Sequence, residues 1–148
     1  MAACCLALAT AGIQAGAETP RPARVVSINL CTDQLAMMLA DEGQLLSVSD
    51  VALDPGSSAM VDEARNYVIN HALAEEVYLM RPDLVLAGTY TARATVSMLR
   101  RLGMRVELFA PSDSLQDVRE TITRMGEVLH QEAEAEARER AWRRAGMR

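Results

Sequence analysis

The chain has 148 residues, half of them hydrophobic, enough for one domain with a core of its own. All fifteen basic residues are arginine and stand against 20 acidic ones, for a net charge of −5. With no long basic stripe before residue 138, this excludes a nucleic-acid partner. Aromatic residues make up 3%, too few for a sugar-binding cleft or a base-stacking platform.

Residues 1–17 have the pattern of a signal peptide. Ala2 to Ile13 are small and apolar, a run too short to span a bilayer, and Ala15-Gly16-Ala17 supplies the small-x-small cleavage pattern before polar Glu18-Thr19-Pro20. No basic residue precedes the apolar run. Cys4 also lacks an apolar run before it, which makes a lipid-anchored form the weaker alternative. Cleavage after Ala17 leaves Cys31 as the one cysteine, so the exported domain is expected to have no internal disulfide.

The β-branched run Arg24-Val25-Val26-Ser27-Ile28 predicts a strand ending at Asn29. Thr32 is the expected cap of a helix to Asp41, with Leu35, Met38 and Leu39 on one face and Gly43 closing it. Leu45 to Val48 predicts a second strand. Ser49 to Asn70 reads as irregular, with a turn at Asp54-Pro55-Gly56 and one or two helical turns near Met60 to Arg65. Leu73 to Met80 predicts a short helix stopped by Pro82, and Leu84 to Ala87 a fully buried strand closed by Gly88. Thr91 or Thr89 is the expected cap of the next helix, where Ala92, Val96, Leu99 and Leu102 recur at helical spacing up to Gly103. Val106 to Phe109 predicts another strand. Ser114 to Asp117 resembles a capping box, opening a helix with Leu115, Val118, Ile122, Met125 and Leu129 inward. From Glu132 to Arg148 nearly every residue is charged or Ala, and the pairs Glu134/Arg138, Glu136/Arg140 and Glu139/Arg143 predict a solvated helix. The alternation predicts an α/β fold: a small parallel sheet of about four strands, helices on both faces, and a charged C-terminal helix.

Three segments carry a family resemblance: Val25-Val26-Ser27-Ile28-Asn29-Leu30-Cys31-Thr32-Asp33, the run from Leu73 through Arg81-Pro82-Asp83 to Ala87, and Leu99 to Val106. Together they resemble the N-terminal lobe of the helical-backbone periplasmic solute-binding proteins of ABC importers, which capture ferric siderophores, haem or cobalamin. The resemblance covers Arg24 to about Leu129. It implies an N-terminal α/β lobe over residues 18–130 and, over 131–148, the start of a long helix joining it to a second lobe that this sequence lacks; a truncated chain is expected. It further implies a periplasmic location, a monomer, and a metal-chelate ligand rather than a cofactor. The implied partner is the transmembrane permease, reached through Glu75, six residues before the Arg of Arg-Pro-Asp.

Independently of any family, ligands of open parallel sheets bind beyond the carboxyl ends of the strands. That rule selects the turns at Asn29 to Thr32, Ser49 to Val51, Gly88 to Thr91 and Pro111 to Ser114. The resemblance implies ligand contacts in the first three of these, giving Asn29, Leu30, Cys31, Thr32, Ser49, Asp50, Gly88, Thr89 and Tyr90 as candidates, with Arg93 close by. Thr32 and Thr91 read equally well as helix caps. Cys31 reads first as a small buried hydrophobe. Asn70 and His71 are placed to line the mouth of the cleft, although a satisfied or exposed His71 is the plainer reading, and His130 reads as surface.

No Gly-x-Gly-x-x-Gly follows the first strand, no Gly-x-Ser-x-Gly elbow appears, and without lysine no Walker loop exists. Two distant histidines do not make a closed metal site. The expectation is a binding protein without catalysis. The alternative is a free-standing, cytoplasmic flavodoxin-like signalling or scaffold domain.

Overall fold

The structure is a computed structural model and describes residues 19–146. The signal-peptide reading, with Cys4 and Cys5, lies outside the described residues. Five parallel strands form one sheet: β1 (Val25–Ser27), β2 (Leu45–Ser49), β3 (Val68–Asn70), β4 (Leu84–Gly88) and β5 (Val106–Phe109), in the order β3-β2-β1-β4-β5. The helices are α1 (Leu30–Leu39), α2 (Val61–Ala64), α3 (Ala74–Leu79), α4 (Arg93–Arg101), α5 (Leu115–Leu129) and α6 (Glu132–Arg144), with a 3₁₀ turn at Asp50–Leu53.

The α/β reading holds, with one strand more than expected. In the segment Ser49 to Asn70, α2 is the helical turn expected near Met60 to Arg65, while the 3₁₀ turn and β3 were not expected. Three residues, Val-Ile-Asn, are too short to show a period; β3 exists because β2 offers it a free edge, pairing Ser47, Val48 and Ser49 with Val68, Ile69 and Asn70.

Side chains of the central strands alternate between two cores, as a period of two requires. Val25, Leu84 and Leu86 pack with Ala36 and Leu39 of α1 and Met125 and Leu129 of α5. Val26, Val85 and Ala87 pack on the opposite face with Val77 of α3 and Val96 and Leu99 of α4. Both faces are therefore covered, which is why β4 reads as an unbroken apolar run.

Several helix boundaries differ from expectation. Helix α1 starts three residues earlier than expected because Asn29, not Thr32, is its cap: Cys31 N–H donates to Asn29 Oδ1 at 3.1 Å. Its last residue is Leu39, and Gly43 (φ +75°) serves the turn beyond it. The cap position of α4 is Ala92, which has no side-chain bond to give; Thr91 Oγ1 instead accepts from Gly88 N–H at 3.0 Å and tightens the turn before the helix. The capping box of α5 is formed as expected between Ser114 and Asp117.

The Arg-Pro-Asp segment has a mechanical role. Arg81 leaves α3 in the left-handed region (φ +50°). Asp83 then accepts from the backbone N–H groups of Ala23 (2.8 Å) and Arg24 (3.0 Å), while the Arg24 guanidinium donates to the carbonyls of Met80 and Arg81. The end of α3 is thereby tied to the entry of the central strand.

Helix α6 carries the three expected ion pairs and packs along α5 at Gly126, where a Cβ would stand 2.5 Å from Ala135 Cβ. Among the described residues no helix is long and apolar enough to cross a membrane. Gly126→Ala is expected to push α6 off α5 and destabilise the fold by about 1–3 kcal/mol; a urea melt of the variant beside the parent measures it.

Candidate functional site

Strand order places β1 between β2 and β4, so the chain turns one way after β1 and returns on its other side at β4. The carboxyl ends of β1 and β4 form the switch point at which open α/β sheets hold ligands. The two turns touch there. A Cβ on Gly88 would lie 2.8 Å from Asn29 Nδ2, so only glycine lets the Asn29 amide lie across the end of β4.

Beneath this surface lies a buried polar web. Asn70 Nδ2 donates to the Ser27 carbonyl at 2.9 Å and to Ser47 Oγ at 2.8 Å. Thr32 Oγ1 donates to the Asn29 carbonyl at 2.9 Å and shares a hydrogen bond with Ser27 Oγ at 2.8 Å. Ser49 Oγ donates to Asp33 Oδ2 at 2.5 Å. All six side chains, from Ser27, Thr32, Asp33, Ser47, Ser49 and Asn70, are buried.

This web divides the nine candidates. Thr32, Ser49 and Gly88 are buried beneath the surface rather than presented on it. Asn29 and Leu30 are half-buried, and Cys31, Asp50, Thr89 and Tyr90 are exposed, Tyr90 to 87%. Thr32 turns inward because it shares the helix stripe of Ala36 and Leu39, four and seven residues on. The exposed Cys31 corrects the expectation of a buried thiol. Asn70, expected at the cleft mouth, is sealed inside, and Asp33 and Ser47 were not anticipated at all. Asp33 did carry a signal: it directly follows Thr32 on the side of α1 that faces the sheet.

His71 is exposed and satisfied: its backbone N–H and its ring Nδ1 lie 2.7 and 3.0 Å from the two carboxylate oxygens of Glu76. The backbone N–H first, and the ring second, hold the Glu76 carboxyl below its usual range. Glu75, its neighbour, is exposed and makes no hydrogen bond or ion pair among the described residues. His130 ends α5 in the left-handed region (φ +56°).

A groove of ≈520 Å³ runs from Gly88 and Thr89 past Thr91, Arg93, Arg100 and Arg101. No carboxylate lines it. The surface around the switch point thus offers hydroxyls, an amide, a phenol, guanidinium groups and the Asp50 carboxylate, a set suited to holding a polar ligand. Among the described residues no base is hydrogen-bonded to the Cys31 thiol, and no cluster of three or more His, Cys, Asp or Glu side chains could hold a metal ion.

No protein-family model and no curated protein matches the chain. Among solved structures it is similar to a periplasmic haem-binding protein from Pseudomonas aeruginosa, with a TM-score of 0.67 and 23% identity over 83% of this chain and 44% of that one. It is similar also to the periplasmic vitamin B12-binding protein BtuF of Vibrio cholerae, with a TM-score of 0.67 and 17% identity over 84% of this chain and 48% of that one. The FhuD protein from S. pseudintermedius aligns with a TM-score of 0.68 and 18% identity over 85% of this chain and 43% of that one. The chain therefore has the α/β fold found in periplasmic binding proteins, as the resemblance implied, and spans less than half the length of each.

Burial raises the Asp33 pKa, against the opposing pull of the Ser27 and Ser49 hydroxyls beside it, and its Oδ1 has no hydrogen-bond partner. A carboxyl whose pKa is raised by folding binds its proton more tightly in the folded state. Its stabilising contribution is therefore full below the ordinary value of 3.8 and falls as pH rises from there through the folded value. Asp33→Asn keeps an acceptor for Ser49 and removes the buried charge. Melting curves are expected to show the variant more stable than the parent at pH 7, with the gap closing towards pH 4.

Proposed function

We propose that this chain belongs to the solute-binding component of an ABC importer, acting in the periplasm after export by residues 1–17. It captures a metal chelate, a ferric siderophore, haem or cobalamin, and delivers it to the transmembrane permease. One observation carries the reading: the switch-point surface exposes Asp50, Thr89 and Tyr90 with the half-buried Asn29, over a buried, hydrogen-bonded floor. The fold supports it, because the similar solved structures include haem-binding and vitamin B12-binding periplasmic proteins.

In this reading Asn29 and Thr89 hydrogen-bond the ligand, Tyr90 covers its apolar part, and Arg93 meets its negative edge. Any metal arrives inside the chelate, and the ligand leaves unchanged. Glu75 docks on the permease. Its freedom supports that role over Glu76, whose carboxylate His71 already occupies.

Pockets that hold compact ligands enclose most of the ligand surface, and the switch-point surface is open on one side. The chain by itself is therefore expected to bind weakly, with a second wall supplied by further polypeptide. Titration with haemin, a ferric hydroxamate siderophore and cobalamin should give saturable binding to one of them with Kd of about 1 µM or weaker. Tyr90→Ala and Asn29→Ala should each weaken it by about fivefold or more. Submicromolar binding would contradict the one-walled geometry, and the absence of saturable binding to all three would sink the function.

A further inference from the structure

The sheet has two edges, and they are not alike. Strand β3 is only three residues long and offers a neighbour little to pair with. Strand β5 pairs with β4 over its whole length, which leaves its far side as the longer edge. Val85 N–H donates to the Arg105 carbonyl and Thr89 N–H to the Phe109 carbonyl, both at 2.9 Å. Backbone groups alternate in direction along a strand, so those of Val106 and Leu108 point away from the sheet.

Both outward carbonyls are already taken. The Arg100 guanidinium of α4 donates to the Val106 carbonyl at 3.2 Å, and the Arg124 guanidinium of α5 to the Leu108 carbonyl at 2.7 Å. These helices pack on opposite faces of the sheet, so the two side chains close on the edge from both sides. Arg124 also lies over the Phe109 ring, 4.5 Å from its centre, and its Nη2 is 3.4 Å from the Glu107 carboxylate. Glu107, inside the strand, accepts from Arg105 Nε at 3.1 Å as well.

A free strand edge pairs readily with an antiparallel copy of itself, because a two-fold axis makes the same groups complementary. In the symmetric register, Val106 and Leu108 of one copy exchange hydrogen bonds with Leu108 and Val106 of the other. That register needs the two carbonyls that Arg100 and Arg124 hold. It also sets Glu107 directly opposite Glu107, where like charges repel. A copy seated there would lie against the groove at the switch point, which Arg100 and Leu108 line.

We infer that the β5 edge is a strand-pairing surface held shut. Arg100 and Arg124 keep a second copy of the chain off it, Glu107 opposes the matching register, and the groove beside it stays uncovered. The device works whichever ligand the turns hold.

Sedimentation of the full chain and of Arg100→Met/Arg124→Met, which keeps both apolar stems, tests the lock. The parent is expected to be monomeric and the variant to self-associate at least about tenfold more tightly, with thermal melts showing both folded. Register is read with Glu107→Cys and with Cys4, Cys5 and Cys31 replaced by serine. Opposed residues at a two-fold axis form a disulfide, so oxidation should link copies about tenfold faster when both arginines are methionine. If the double variant does not fold, Arg124→Met alone, whose side chain is 46% exposed in the parent, replaces it in both measurements, with a shift in the same direction expected. Variants no more associated than the parent would overturn the inference. So would association without a link at position 107, or a link that forms as fast with both arginines in place.

Discussion

The amide of one buried asparagine joins the three strands on which the rest of the structure depends. Asn70 stands at the end of β3, and its Nδ2 donates both to Ser47 Oγ of β2 and to the Ser27 carbonyl at the end of β1. Strand β1 has only three residues, and both its faces are covered. Its last polar groups lie where water cannot reach them, so they must find partners within the protein. Asn70 and Thr32 provide these, and by doing so they fix the two turns that leave the sheet beside Asn29 and Ser49.

The consequence is a division of labour within a few residues of sequence. Thr32, Asp33, Ser47, Ser49 and Asn70 are buried and hydrogen-bonded to form a floor, while Asn29, Asp50, Thr89 and Tyr90 are half-buried or exposed. A binding surface gains from such support, because side chains already held in place lose less entropy when a ligand arrives. Asp33 is the exception within the floor. Its buried carboxylate is only partly satisfied, and it makes the stability of this end of the sheet depend on pH.

Much of the fold was legible because the physics that fixes it is local or periodic. Val25 and Val26, Leu84 to Ala87, and the apolar repeats of α4 and α5 announce their elements. Glycine and proline mark most of the ends, and the capping box of α5 was readable from four residues. Strand β3 was not legible, since Val68 to Asn70 is a strand by virtue of the edge that β2 offers, a partner some twenty residues away. Within the candidate turns the sequence did not show depth: Thr32 and Ser49 are buried. Hydroxyls on Thr32 and Ser49 look the same in sequence whether they face a ligand or seal a strand end; the helix stripe shared with Ala36 and Leu39 decides it for Thr32, and the web itself for Ser49. The sequence likewise did not show that His71 would lie on the Glu76 carboxylate.

The central claim is that the turns after β1, β2 and β4 form a ligand-holding wall over a sealed polar floor. Backbone amide NMR of the chain, titrated with haemin, a gallium-substituted hydroxamate siderophore and cobalamin, tests it most directly, because shifts report even weak contact residue by residue. The expected result is that one ligand moves the amides of Asn29 to Cys31, Asp50 and Thr89 to Tyr90 while those of Asp33 and Asn70 stay nearly fixed. Shifts confined to α5 and α6, or no shifts at those turns with any of the three, would contradict it.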